Sequence, residues 1–389
     1  MKLLSIVLGF WLYTLSLPIN AEVVLDGCTN QQITLSKNFE SARFNSCLVL
    51  DNNVFELSLV PENEPINPSP WYAFKVHAKS PSTVTIVLNY TKGKHRYWPK
   101  VSDDFVSWQR LSEQQVELSQ DAKQVRLQLD VKQGDTWIAA QPLINNSAYQ
   151  LWLEQMTVQQ PAVSLSEVGK TVQGRSLLAL TSTAKNKKPL IVLLGRQHPP
   201  EVTGALAMFT FVETLMQDTE LAQKFRQEIN LLVVPNINPD GVAAGNWRHN
   251  VNGIDLNRDW GPFSQPETRQ TNEYIRQYMA DKSLWLVIDF HSTWRDIFYI
   301  QPAEQETRFP HLVDSWMAAI NQADSPIIFE PKPGHAPDKP TSKSYFYEKY
   351  KVPTLTYELG DDSKPSDIED SSKIAAKTLM ELLLSEVSL

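Results

Sequence analysis

Pro189-Leu-Ile-Val-Leu-Leu-Gly195, continued by Arg196-Gln-His198-Pro-Pro-Glu201 and then by Val202-Thr-Gly-Ala-Leu-Ala-Met-Phe-Thr-Phe-Val-Glu-Thr-Leu-Met216, is the stretch that decides the fold class. Its first part is an unbroken apolar run ending in glycine, the pattern of a strand buried on both faces. Its last part carries apolar residues at helical spacing. A buried strand that hands over to a helix is half of a parallel β-α-β unit. Outward from this point the alternation continues. Residues 230–234 read as a second buried strand, 265–279 as a helix, 284–290 as a strand, 308–322 as a helix, 352–359 as a strand and 368–384 as a closing helix. Such alternation predicts α/β architecture: a mixed, mostly parallel sheet flanked by helices.

Toward the N-terminus the pattern changes. Gln124-Val-Arg-Leu-Gln-Leu-Asp130 alternates polar and apolar residues at period two, and short β-branched and aromatic runs recur at 71–76 and 83–88. Turn-forming clusters separate them, so residues 22–160 read as an all-β sandwich domain placed before a second domain at 165–389. Tyr97-Trp98 and the 105–108 segment are candidates for a binding face or for packing between the domains. At 389 residues the chain can fill two cores, and a net charge of −8 without a basic block argues against a nucleic-acid partner. Lys2 followed by an apolar run to Leu17, with Ala21 as a cleavage point, reads as a signal peptide over residues 1–21. The expected mature protein is exported, periplasmic or secreted, with no stable membrane span. Cys28 and Cys47 can then form a disulfide, which would close a surface loop at the edge of the first domain.

Polar residues fall where the strands end. His198 and Glu201 follow one strand, His291 follows another, and Glu358 sits inside the β-forming run Leu355-Thr-Tyr-Glu-Leu359. In open α/β sheets ligands bind beyond the carboxyl ends of the strands, so three segments deliver polar groups to one edge. Two imidazoles and one carboxylate suit a catalytic zinc ion with one open coordination position. Asp255 can orient His198 from behind. Arg248 can polarise a carbonyl, and Asn257 with Arg258 can clamp a carboxylate. A glutamate in a buried strand is costly unless it is paired or functional, which makes Glu358 a candidate proton carrier.

Taken in order, His198-Pro-Pro-Glu201, Asn238-Pro-Asp-Gly241, Trp247-Arg248, Asp255-Leu-Asn257-Arg258, His291 and Glu358 resemble the motifs of the M14 zinc carboxypeptidases. The resemblance covers residues 165–389. The preceding β-rich domain is similar to the arrangement in cytosolic carboxypeptidases and their bacterial relatives. It implies one Zn²⁺ per chain on His198, Glu201 and His291, Glu358 as general base, Arg248 on the oxyanion, and Asn257 and Arg258 on the substrate's terminal carboxylate. Asp255 matches the family's orienting aspartate. Two positions depart from the pattern: the second proline of His-Pro-Pro-Glu, and the substrate-capping tyrosine, for which Tyr345 and Tyr347 both stand as candidates. Lys343 lies where the family lines the pocket for the terminal side chain, which implies a preference for acidic ends. The implied substrate is a peptide or amide with a free carboxylate. The same residues would serve an amidase acting on cell-wall peptides or N-acyl amino acids. A fold that had kept its ligands but lost turnover would be a binding protein.

Overall fold

The computed structural model describes residues 26–182, 189–334, 336 and 338–387; the signal expected at 1–21 lies outside the described residues. The first domain consists of two sheets facing one another. One sheet has the order β1 (Gly27–Thr29), β2 (Ile33–Ser36), β5 (Ala73–Ala78), β11 (Gly134–Ala139), β7 (Lys100–Ser102) and β8 (Gln109–Arg110). The other has the order β3 (Ser46–Asp51), β4 (Val54–Leu59), β6 (Ser82–Tyr90), β10 (Gln124–Val131) and β9 (Val116–Leu118). Inward residues of both sheets, such as Ile33, Phe74, Leu57, Ile86 and Leu127, form one core. The period-two pattern of β10 is realised as strict alternation of exposed and buried positions. The Cys28–Cys47 disulfide joins β1 to β3, the outer strands of the two sheets, and both cysteines are buried. The bridge therefore ties the sheets together instead of closing a surface loop. Tyr97 is fully buried in this core.

The all-β expectation for residues 22–160 fails at its end. Residues Asn146–Gln159 form helix α1, started by the Asn145 side chain, which accepts a hydrogen bond from the Ala148 amide at 3.0 Å. Such a cap offsets the unpaired amides of a first turn. One face of α1, carrying Trp152, Leu153 and Met156, joins the core of the following domain.

That domain is built on an eight-stranded sheet. Its strands are β12 (Val163–Lys170), β13 (Ser176–Ser182), β14 (Pro189–Gly195), β15 (Asn230–Val234), β16 (Ser283–Thr293), β17 (Ile297–Ile300), β18 (Glu330–Pro333) and β19 (Thr354–Gly360). They are ordered β12-β13-β15-β14-β16-β19-β17-β18. The central neighbours β15, β14, β16 and β19 run parallel, and antiparallel pairs flank them. The apolar run at 189–195 has a direct structural meaning. Ile191 and Leu193 enter the core on one face, while Leu190, Val192 and Leu194 enter the core on the other. Helices α2 (Val202–Met216), α3 (Glu220–Glu228), α6 (Leu312–Gln322) and α8 (Pro365–Val387) cover the first face. Helices α5 (Pro266–Tyr278) and α7 (Ser342–Tyr350) cover the second, and α4 (Pro239–Ala244) follows β15. Among the described residues no helix is long and apolar enough to cross a membrane.

Strand β16 runs three residues past its expected end at 290, so His291 lies within the sheet and not after it. This extension fixes the site, because the parallel register then sets His291 directly beside Glu358 on β19.

Candidate metal centre

The site forms where β14, β16 and β19 reach their carboxyl ends. After Gly195 the chain turns through Arg196 in the left-handed region, at φ 50°. The buried Arg196 side chain holds that turn, donating to the Pro199 carbonyl at 2.8 Å and to the Tyr149 hydroxyl at 3.2 Å. This turn presents His198. Glu201 occupies the N-cap position of α2, but its carboxylate makes no capping bond. It faces the two histidines instead.

Ligand atoms of His198, Glu201 and His291 lie within 4.8 Å of one another, and all three residues are buried. Glu201 Oε1 is 2.7 Å from His198 Nδ1, and Glu201 Oε2 is 2.7 Å from His291 Nδ1. Each imidazole meets a second carboxylate through its other nitrogen. His198 Nε2 is 3.0 Å from Asp255 Oδ1, and His291 Nε2 is 2.8 Å from Asp289 Oδ2. An aspartate that accepts an Nε2–H leaves the Nδ1 lone pair as the donor, the arrangement a metal-ligating histidine needs. Two imidazole nitrogens and a carboxylate grouped this closely can share one cation, and the donor set suits zinc.

The electrostatics follow. Burial alone would raise the Glu201 carboxyl, but the two imidazoles outweigh it and hold the group well below the carboxylate range. Burial opposes charging His291, yet Asp289 and Glu201 hold its pKa well above the usual histidine value. Asp255 is likewise desolvated and still depressed, by His198 and by Arg248.

Helix α2 can reach His291 only because position 204 is glycine. A β-carbon there would stand 2.3 Å from the His291 carbonyl oxygen and 2.6 Å from its carbon. Ser292 completes the seam by accepting from the Gly204 amide at 2.8 Å.

Glu358 lies opposite His291 in the β16–β19 register, and its Oε2 is enclosed without a hydrogen-bond partner among the described residues. Burial pushes its pKa up to about 8, with His291 opposing and Glu201 adding to the shift. A cation on the three ligands would bring it down again. Arg248 is buried and donates from Nε to Asp255 Oδ2 at 2.8 Å. Asn257 sits next to His291, with Nδ2 3.4 Å from His291 Nε2, while its Oδ1 accepts from the Ser342 amide at 3.0 Å. Arg258 donates to the Asn257 carbonyl at 2.6 Å and bonds no carboxylate among the described residues. Lys343 stands in the first turn of α7, buried, with its ammonium 3.4 Å from the Ile300 carbonyl. Desolvation lowers its pKa to about 8.

Each of the two candidate tyrosines is engaged by other side chains. The Tyr345 hydroxyl donates to Asn272 on α5 at 2.8 Å, and its ring packs against Trp260 and Phe263. Tyr347 lies under the ammonium of Lys351, 4.5 Å from its ring centroid. Residues outside the sequence reading also take part. Asp289 holds His291 and is itself held by the Gln197 side chain at 2.6 Å and by the Ser342 hydroxyl. The strand period carried a usable signal here, since residues i and i+2 share a face and a buried acid two before a histidine points the same way.

The zinc carboxypeptidase profile of family M14 matches residues 149–378, more than half of the chain. The chain belongs to the zinc carboxypeptidase family. Mouse cytosolic carboxypeptidase 6 is 32% identical over 157 residues, which are 37% of this chain and 29% of that protein. Mouse cytosolic carboxypeptidase 3 is 24% identical over 299 residues, 69% of this chain and 30% of the relative. The alignments thus take in less than a third of these curated relatives' own length. Among solved structures, a metallo-carboxypeptidase from Burkholderia cenocepacia superposes with a TM-score of 0.75 at 19% identity, covering 92% of this chain and all of the other. One from Pseudomonas aeruginosa, in complex with (2-guanidinoethylmercapto)succinic acid, gives 0.71 at 21% identity, covering 91% and 99%. These two likenesses span both domains, so the sandwich and the zinc carboxypeptidase domain form a fold shared as a unit.

Proposed function

We propose that this chain is a zinc-dependent carboxypeptidase that removes C-terminal residues from peptides, acidic ones in preference. The observation that carries the reading is the enclosed Glu358 carboxylate set beside His291 in a site where His198, Glu201 and His291 converge. His198, Glu201 and His291 would hold the zinc ion, which would supply Lewis acidity and a water of lowered pKa when bound. The remaining work belongs to the protein's own side chains. Glu358 takes a proton from the attacking water and returns it to the leaving amine. Arg248, held by Asp255, offers its free guanidinium nitrogens to the negative charge that develops on the carbonyl oxygen. Asn257 and Arg258 bind the terminal carboxylate, and Arg258 suits that role because no carboxylate of the described chain already occupies it. Lys343 is a buried cation with only a long backbone contact, which supports an acidic side chain as its partner. Export is part of the same reading, in keeping with the Cys28–Cys47 bridge, and N-terminal sequencing of natively recovered protein tests it by a chain beginning near Glu22.

The deciding experiment is a peptide-library digest read by mass spectrometry, with free and amidated C-termini compared. Single-residue losses from free ends, acidic ends first, are expected. Equal cutting of amidated peptides would shift the assignment to an amidase. Glu358→Gln in the same assay should keep zinc and lose about 10² to 10⁴ in kcat; an unchanged rate removes Glu358 from the role of base.

A further inference from the structure

We propose that the first domain is part of the catalytic apparatus, through Glu62, a positioning residue for Arg248. The inference rests on the reading of Arg248 given above. Glu62 lies in the segment after β4 and reaches across the domain boundary. Its Oε2 accepts from the Trp247 amide at 2.8 Å, and its Oε1 accepts from the Arg248 and His249 amides at 2.9 and 2.7 Å. Three consecutive backbone N–H groups on one carboxylate make an anion-binding concavity, and bonds to an ionised acceptor are stronger than neutral ones. Such a clamp fixes the backbone on both sides of Arg248 and therefore the point from which its side chain departs.

The neighbouring residues are held from the same side. The Trp247 ring is fully buried in the first domain's core and donates to the Trp71 carbonyl at 3.1 Å. Asn63 grips the far end of the turn, with Oδ1 2.7 Å from His249 Nδ1 and Nδ2 donating to the Gly253 carbonyl at 3.1 Å. On the catalytic side Arg248 continues to Asp255 and Asp255 to His198. A rigid chain of contacts thus runs from the sandwich to a metal ligand. Without Glu62 three amides lose their acceptor, and the turn that aims Arg248 is free to move.

The test uses the full chain and four variants: Glu62→Ala, Glu62→Gln, Arg248→Ala and Ser41→Ala. The last removes a single boundary hydrogen bond, from the Ser41 hydroxyl to the Val242 carbonyl, and serves as the control for a purely structural role. Readouts are kcat and KM on a peptide with a free carboxylate, zinc content, and amide hydrogen exchange over 247–249. Glu62→Ala is expected to lower kcat roughly 10- to 100-fold, below the 10² to 10³ of losing an oxyanion donor outright. KM and zinc content should hold, and exchange at 247–249 should accelerate. Glu62→Gln retains the oxygen that serves two of the amides and should lose less. Ser41→Ala should change neither kcat nor that exchange. Normal kcat in Glu62→Ala beside an impaired Arg248→Ala overturns the positioning role. Full kcat in Arg248→Ala shows instead that the reading beneath it was wrong. If Glu62→Ala does not fold, Glu62→Gln decides, and wild-type kcat in it overturns the proposal.

Discussion

Gly204→Ala sets two known effects against each other, and the structure predicts which prevails. In an ordinary helix interior alanine is better than glycine by about 1 kcal/mol, so propensity alone predicts a more stable protein. At this position the new β-carbon would meet the His291 backbone at 2.3 Å from oxygen, 2.6 Å from carbon and 3.0 Å from nitrogen. Relaxed contacts lie near 3.5 Å, so α2 and β16 must part by roughly 1 Å. Both elements are central to the core, and overpacking of this kind costs about 1–3 kcal/mol, at times more. A 2.3 Å approach to backbone belongs at the upper end of that range, about 2–3 kcal/mol, so the steric cost exceeds the propensity gain for a net loss of about 1–2 kcal/mol and a fall in Tm of roughly 2–8 °C at this domain size. The metal site should suffer more than the fold. Glu201 enters α2 three residues earlier and stands 2.7 Å from His291 Nδ1, so the same displacement opens the ligand set. Metal–ligand distances tolerate only about 0.2 Å, and zinc affinity should drop by at least about tenfold. Thermal denaturation of the metal-free protein and zinc competition against a chelator measure the two parts. A Tm that rises, together with unchanged zinc affinity, would show that helix propensity governs this position and refute the steric argument.

Two further outcomes are expected. Asp289→Asn removes the carboxylate that holds His291 Nε2 and should weaken zinc binding about 10- to 100-fold with little change in overall fold; wild-type affinity in the chelator assay would mean that β16 alone orients the ring. Lys343 is charged below about pH 8 and neutral above it. The ratio of kcat/KM for Glu-ended over Leu-ended peptides should therefore fall as pH rises through about 8, and Lys343→Ala should flatten it; parallel profiles for the two substrates in the wild type would place the lysine outside the pocket.

Much of the fold could be read locally. The runs at 189–195 and 230–234 are apolar at every position because both faces of their strands meet a core, and a one-dimensional pattern reports that directly. Strand β16 outruns its expected end because its last residues, His291 to Thr293, are polar and resemble the start of a loop. Helix α1 departs from the all-β expectation because it closes a domain that is otherwise all strand. Helix α7 leaves no mark in the sequence pattern because its residues, Ser-Lys-Ser-Tyr-Phe-Tyr, carry no clear helical stripe and its start depends on the Thr341 cap.

The sequence by itself named the candidates: which residue types could ligate, carry protons or clamp an anion, and that three of the segments bearing them stand near strand ends. Residue type and short-range spacing suffice for that, since the coordinating and acid–base properties of a side chain are local. Tertiary structure decided what surrounds those groups. The register of β16 on β19 puts Glu358 beside His291, Asp289 holds His291, and the candidate tyrosines Tyr345 and Tyr347 meet Asn272 and Lys351. Glu62 meets residues 247–249 across more than 180 positions of sequence, and no local pattern encodes a contact whose two halves are joined only when separate domains pack.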